Sequence, residues 1–345
     1  MEYTALGRSG LMVSRVAFGN AITHGGQIDE ETARACVQAA LEAGITTFDT
    51  ADVYADGRAE EILGAALAAR PREEVVICTK VGRSKRPDPN AGRLSRKHIR
   101  DSVDASLRRL GTDYIDLYQA HRFDTGTPLE ETIQALADVV RGGKALYVGV
   151  SEWSAGQIRQ GARLAAEAGI PLVANQPQYS LLWRVIEDEV IPAGDEAGLG
   201  QLVWSPLAGG VLTGKYRPGS PLPADSRAAA TRGGSMSVNR WNYLAEPVLE
   251  AVGRLVPLAG QAGLSLPQLA LAWVLRNPSV SAAIVGASRP AHLAENLKAV
   301  GTVLDDDLLK LIDEAVDPVV RRDPALTADP LGPAARVPVP SVSGA

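Results

Sequence analysis

The chain is 345 residues long, 46% hydrophobic and 22% charged, with a formal net charge of −5. That apolar share supports a large core, and the mild acidity argues against a surface built to neutralise nucleic-acid phosphates. No apolar run nears the roughly 18 residues of a membrane span, and the start MEYTALGRSG has neither the basic nor the apolar segment of a signal peptide, so a cytoplasmic protein with no nucleic-acid or membrane partner is expected.

Residues 3–13 read as a hairpin turning at Gly7-Arg8-Ser9-Gly10. Strand and helix then alternate: strand 16–19 and helix 30–43, strand 46–50 and helix 59–69, strand 75–80 and helix 95–110, strand 115–121 and helix 129–141. The series continues with strand 145–151 and helix 155–168, strand 172–176 and helix 183–197, strand 201–205, and strand 282–286 with helix 291–300. Ser95 suits the N-cap of the third helix and Gly111 its end. Cys36 falls in the first helix and Cys78 in the third strand. Neither has Cys-x-x-Cys or Cys/His spacing, so both read as reduced core thiols and no metal site is expected.

Near-continuous apolar strands alternating with helices predict a parallel sheet covered by helices. Eight such units favour a closed (β/α)8 TIM barrel over an open, doubly wound sheet. One interval breaks the rhythm. After the seventh strand, residues 209–240 are rich in Gly, Pro and Ser and read as a long mobile loop, followed by helices at 248–262 and 267–276. A helix at 305–316 completes a single domain of residues 1–317, and residues 318–345, rich in Pro and Ala, read as a loosely ordered tail.

A barrel places its chemistry at the C-terminal ends of its strands. Those ends carry Asp49, Lys80, His121, Ser151, Gln176, Trp204-Ser205 and Gly286-Ala287-Ser288, almost all polar. A carboxylate ending a buried strand is costly without a cation, and Lys80, one strand over, can supply it. Tyr54, five residues past Asp49, can then lie against both Lys80 and His121. Asp49 would keep Lys80 charged, and the ammonium would favour the phenolate, making Tyr54 a tuned general acid. Taken singly, an Asp–Lys pair can be a structural salt bridge and a lone histidine a core residue. Four such residues in register on neighbouring strands point to catalysis.

At these residues the chain resembles the aldo-keto reductases, over residues 6–316. The segment Phe48-Asp49-Thr50-Ala51-Asp52-Val53-Tyr54 matches that family's Asp/Tyr motif, while Thr79-Lys80 and Gln119-Ala120-His121-Arg122 match its Lys and His positions. Gly25-Gly26-Gln27-Ile28, Leu94-Ser95-Arg96-Lys97-His98-Ile99, Trp204-Ser205-Pro206-Leu207-Ala208 and Leu266-Pro267-Gln268-Leu269-Ala270 are most similar to the voltage-gated potassium channel β-subunit group and its bacterial relatives.

The resemblance implies NADPH-dependent reduction of an aldehyde or ketone. The nicotinamide would lie near Asp49, Tyr54, Ser151 and Gln176, with Trp204 stacked on its ring. Ser205, Leu207, Gly209 and Lys215 would hold the pyrophosphate, and Gly286, Ser288, Arg289, His292, Glu295 and Asn296 the adenosine end. Asn20, Gln27, Glu152, Pro206, Ala208 and Arg227 complete the implied cofactor set. Ser288 or Arg289, at the helix N-terminus after the eighth strand, would meet a 2′-phosphate, which favours NADPH over NADH. Ile22, Tyr54, His121, Arg122, Trp153, Tyr179 and Trp183 would line the substrate pocket.

Two departures stand out. Channel-associated members often carry Asn where this chain has His121, which favours full catalytic competence, and Ser-Arg where it has Ser151-Glu152. A slow-turnover, NADPH-binding redox sensor regulating a partner protein is the alternative, and a homo-oligomer is compatible with either. Gly209 to Lys215 imitates the opening of a P-loop, but Tyr216 follows where Ser or Thr is needed. His24 and His98 stand alone and read as surface residues, with the pocket wall as a second role for His24.

Overall fold

The computed structural model describes residues 1–84, 88–224, 226–229 and 242–327. The leading hairpin forms from β1 (Tyr3–Ala5) and β2 (Met12–Ser14), paired antiparallel with Tyr3 opposite Ser14. Gly7 makes the turn possible. Its φ is +57°, and a Cβ there would lie 2.3 Å from the Gly198 carbonyl oxygen, so only glycine lets the hairpin seat against the start of a later strand.

Eight parallel strands follow and close on themselves. They are β3 (Val16–Gly19), β4 (Thr47–Asp49), β5 (Val76–Val81), β6 (Ile115–Ala120), β7 (Ala145–Val150), β8 (Leu172–Asn175), β9 (Gly200–Trp204) and β10 (Val280–Val285). The sheet is a closed barrel in the order β10-β3-β4-β5-β6-β7-β8-β9, so the (β/α)8 TIM-barrel architecture is established. Because strand residues alternate sides, each strand feeds two cores. Ala17, Cys78, Leu117, Leu202 and Ala282 fill the barrel interior with Leu6 and Val13 of the hairpin. Phe18, Phe48, Ile77, Tyr118 and Val148 face the helix layer.

That layer contains α1 (Glu30–Glu42), α2 (Arg58–Leu67), α3 (Arg96–Leu110), α4 (Leu129–Arg141), α5 (Ala155–Glu167) and α6 (Val190–Ala197). Beyond β9 come α7 (Glu246–Gln261), α8 (Leu266–Leu275), α9 (Pro290–Leu297) and α10 (Asp306–Val316). Ser95 caps its helix as expected, accepting from the His98 backbone N–H, and Ser154 and Gln157 form a capping box at α5. Cys36 and Cys78 are both free and buried. Among the described residues, no single helix is long and apolar enough to cross a membrane.

The sixth helix starts later than the predicted residue 183. The Trp183 N–H is taken by the Ser180 carbonyl and the Arg184 N–H by the Arg321 carbonyl, so Trp183 sits in a bridge, residues 185–189 form turns and the helix begins at Val190. The segment 318–327, expected to be loosely ordered, instead packs on the barrel. Arg321 bridges Trp183, and Val319 and Val320 rest on the outer core. Residues 328–345 lie outside the described residues. The 209–240 segment, expected to be a loop throughout, opens with a helical turn at Ala208–Thr213; residues 225 and 230–241 are not described.

Candidate active site

β4, β5 and β6 are adjacent in the barrel, and their C-terminal ends bring Asp49, Lys80 and His121 to one rim. Past Asp49 the chain stays pinned along β5, with the Thr50 N–H donating to the Cys78 carbonyl (2.9 Å) and the Asp52 N–H to the Lys80 carbonyl (3.4 Å). This carries Tyr54 back over Lys80. A run of left-handed backbone follows, with φ of +49° at Ala55, +55° at Asp56 and +94° at Gly57, before α2 begins. Such strain persists only where the surroundings impose it, and it clusters at functional loops.

The Lys80 ammonium is fully buried, and all three of its hydrogens find acceptors. It donates to Asp49 Oδ1 at 2.6 Å, to the Thr50 carbonyl at 2.7 Å and to Tyr54 Oη at 3.4 Å. Burial by itself would depress the Lys80 pKa, but the Asp49 carboxylate and then the Tyr54 phenol outweigh it and hold the group above its ordinary value. The second Asp49 oxygen accepts from Gln176 Nε2 at 2.7 Å, so both carboxylate oxygens are occupied. Because Tyr54 Oη accepts from Lys80, its own hydrogen is left to be donated elsewhere.

The His121 ring meets the Tyr54 ring edge-on, with centroids 5.8 Å apart. Burial, followed by the charges of Arg122, Lys80 and Arg83, pushes the His121 pKa well below its usual value, so the imidazole is neutral. Its Nδ1 is buried without a partner among the described residues. The arrangement can therefore give a proton to an oxygen placed at the phenol while a neutral imidazole orients that oxygen.

The next strand ends extend the rim. Ser151 Oγ donates to the Gln176 carbonyl at 2.8 Å and accepts from Arg122 Nη1 at 3.1 Å. Trp204, half-buried at the end of β9, precedes left-handed Ser205 (φ +57°) and Ala208 (φ +48°). The Gly209 N–H donates to Ser205 Oγ at 3.1 Å, and the exposed Lys215 lies over Gly210 and the Tyr216 ring. The Aldo/keto reductase family pattern matches residues 15–317 of this chain. A probable voltage-gated potassium channel subunit beta of Arabidopsis thaliana is 42% identical over 329 residues, covering 94% of this chain and 98% of that protein. One of the same description from Oryza sativa subsp. japonica is 44% identical over 308 residues, covering 88% and 92%.

The chain belongs to the aldo/keto reductase family.

An aldo/keto reductase uses a nicotinamide dinucleotide, and the remaining residues expected to meet it fall on the segments that follow β3, β9 and β10. Asn20 is buried beyond β3, its amide donating to the Ala59 carbonyl at 3.1 Å, while its Oδ1 is buried without a partner. Gln27 is exposed on the turn before α1, and Pro206 and Leu207 continue from Ser205 into the Ala208–Thr213 turn. Gly286, Ser288 and Arg289 lead from β10 into α9, where Ser288 Oγ lies 3.5 Å from His292 Nδ1. Glu295 is already engaged by Gln268 at 2.7 Å and Lys298 at 2.8 Å, and Asn296 is buried. Arg227 lies in the stretch past the Lys215 loop, where burial lowers its pKa.

Three expected pocket residues sit elsewhere. Trp153 is fully buried, its ring against Phe123 and so close to α5 that a Cβ at Gly161 would lie 2.6 Å from it. Tyr179 packs on Trp273 of α8 and donates its hydroxyl to Glu187. Trp183 is 2% exposed, its backbone paired with Ser180 and Arg321. The Trp153 and Tyr179 rings thus pack toward the helix layer. Ile22 and Arg122 remain partly accessible, Arg122 next to His121 in the chain.

His24 and His98 are also misplaced by the sequence reading: both are buried. His24 Nδ1 sits 3.3 Å from Asn20 Nδ2, and burial lowers its pKa to about 4.

The sequence reading missed a carboxylate beneath the site. Glu60 of α2 is fully buried, accepting from Thr79 Oγ1 at 2.6 Å and from Arg109 Nε at 2.7 Å. It faces Asp52, whose carboxyl is pushed up to about 8 by burial and by the like charge of Glu60. A signal was present: Glu60 shares a helical face with Leu63 and Leu67, three and seven residues on. Among the described residues no cluster of His, Cys, Asp or Glu could hold a metal ion.

Proposed function

We propose that this chain reduces an aldehyde or ketone to the alcohol with NADPH, using Tyr54 as proton donor. The observation that carries this reading is the buried Lys80, which spends one N–H on Tyr54 while Asp49 and Thr50 hold the other two. The residues present fit a dinucleotide. The half-buried Trp204 indole offers a face for the nicotinamide, Asn20 Oδ1 is a buried acceptor without a protein partner, and Lys215 stands over the Gly210 turn for the pyrophosphate. Ser288 and Arg289 at the start of α9 suit a 2′-phosphate.

Bound NADPH supplies the hydride. His121, neutral and buried, donates a hydrogen bond to the carbonyl oxygen and aims it at Tyr54. Tyr54 gives its proton to the forming alkoxide, and the charge left on its oxygen lies beside the Lys80 ammonium. Asp49, with both oxygens tied, keeps that ammonium in place.

Replacing Tyr54 with Phe should lower kcat at least about a hundredfold while leaving the NADPH dissociation constant within about twofold. Turnover that survives this change removes Tyr54 from the role. A second reading takes from the relatives' names, potassium channel subunits beta, only the idea of a subunit serving a partner: a slow-turnover NADPH-binding subunit that reports redox state. Steady-state NADPH oxidation over a panel of small aldehydes, set against a single-turnover burst, separates the two. A burst without sustained turnover selects the sensor.

A further inference from the structure

We propose that Glu152 is a positioning residue that holds the Trp204 indole in place, rather than a residue that contacts the cofactor. Glu152 follows β7 with φ +56°, a left-handed conformation that a non-glycine residue keeps only when its surroundings hold it. The residue is 2% exposed. A single carboxylate oxygen, Oε1, accepts from the Trp204 indole Nε1–H at 2.8 Å and from the Gln178 backbone N–H at 2.5 Å.

The backbone explains why that N–H is available. Gln178 and Trp204 form a parallel bridge in which the Trp204 N–H donates to the Pro177 carbonyl and the Tyr179 N–H to the Trp204 carbonyl. The N–H of Gln178 itself therefore points away from Trp204, toward Glu152. One oxygen thus staples the ends of β7, β8 and β9, three neighbours in the barrel. A carboxylate only accepts, so this oxygen is committed to the indole and the peptide. An indole free to rotate about its side-chain bonds would lose that freedom on binding a flat ring, whereas one tethered beforehand does not.

The proposal rests on reading Trp204 as the nicotinamide platform, and the experiment separates the two. NADPH dissociation constants would be measured by ligand-induced thermal shift and by protein fluorescence for Glu152→Gln, Glu152→Leu, Trp204→Phe and the Glu152→Leu/Trp204→Phe double variant. Gln keeps an oxygen at the Oε1 position, so E152Q should stay within about threefold of wild type. E152L should weaken NADPH about tenfold or more, as expected for losing a hydrogen bond to a charged group. In the Trp204→Phe background the same Leu substitution should add less than about twofold.

Equal losses in both backgrounds, or E152Q as weak as E152L, overturn the proposal. Where E152L does not fold, the indole N–H resonance of Trp204, identified by its loss in Trp204→Phe, decides. It should exchange slowly with solvent in the wild type and shift in E152Q, and exchange at the rate of an exposed tryptophan overturns the tether. A wild type that binds no NADPH defeats the functional reading, while the indole measurement still decides the tether.

Discussion

Lys80 draws its role from being entirely inaccessible, with a carboxylate, a carbonyl and a phenol as its acceptors among the described residues. Replacing it with Met would leave the Asp49 carboxylate buried without its cation. Truncating one partner of a buried ion pair costs about 3 to 5 kcal/mol, so K80M should lower the denaturation midpoint sharply and abolish turnover together. Urea titration followed by fluorescence tests the first effect, and a midpoint near wild type would refute it. Two of the buried histidines, His24 and His121, predict an acid limb in stability. His24, lowered to about 4 by burial, and His121, lowered well below the ordinary value by burial and nearby cations, are both neutral in the folded chain. Below about pH 6.5 the unfolded chain takes up protons that the folded one does not, so stability falls as pH falls through that window. For His24 the loss down to about pH 4 is on the order of 3 kcal/mol. His24→Gln should flatten the acid limb, and an unchanged slope between pH 7 and 4.5 would count against the assignment.

At the scale of an element, the loop from Thr50 to Gly57 and α2 below it form one unit. Asp52, pushed up to about 8 by burial and then by Glu60, with Arg109 and Lys80 opposing, is protonated in the fold. The unfolded chain ionises it near pH 4, so between about pH 4 and 8 the folded state is the one that holds the extra proton. Stability contributed by this group therefore declines as pH rises across that window. Asp52→Asn should gain on wild type progressively from pH 4.5 to 8.5 in thermal unfolding. A constant difference across pH would show that the carboxyl does not titrate there. The α2–α3 contact is tested by Gly64, where a Cβ would lie 2.4 Å from the Leu110 carbonyl oxygen, a backbone atom that cannot easily yield. Gly64→Ala should cost about 1 to 3 kcal/mol despite the better helix propensity of alanine, and a neutral or stabilising result would show that α2 can shift freely.

For the whole molecule, a barrel whose rim binds a dinucleotide should gain stability from it. At a hundredfold excess over its dissociation constant, NADPH should add about 2.7 kcal/mol, which for a chain of this length raises Tm by roughly 3 to 4 °C. NADH at the same concentration should raise it less if Ser288 and Arg289 meet a 2′-phosphate. Equal shifts would remove that preference, and no shift with either would remove the cofactor.

Much of this molecule follows from the chain alone. The alternation of apolar strands and capped helices sets eight βα units, and strand periodicity is strong enough to place Asp49, Lys80 and His121 at consecutive strand ends before any coordinates exist. Caps such as Ser95 and Ser154 are local chemistry, readable over four residues. What the tertiary structure decided is the direction of side chains once the chain leaves a strand. Trp153 and Tyr179 turn into the helix layer because α5 and α8 offer them Gly161 and Trp273 as partners, and Trp273 lies far along the chain from Tyr179. Glu60 is buried and Asp52 half-buried within reach of its charge for the same reason, since α2 must cover β5 with whichever face carries Leu63 and Leu67. Glu152 gains its contacts only when three strand ends meet. Periodicity reports which residues leave water; only the packed neighbours determine what each of them then touches.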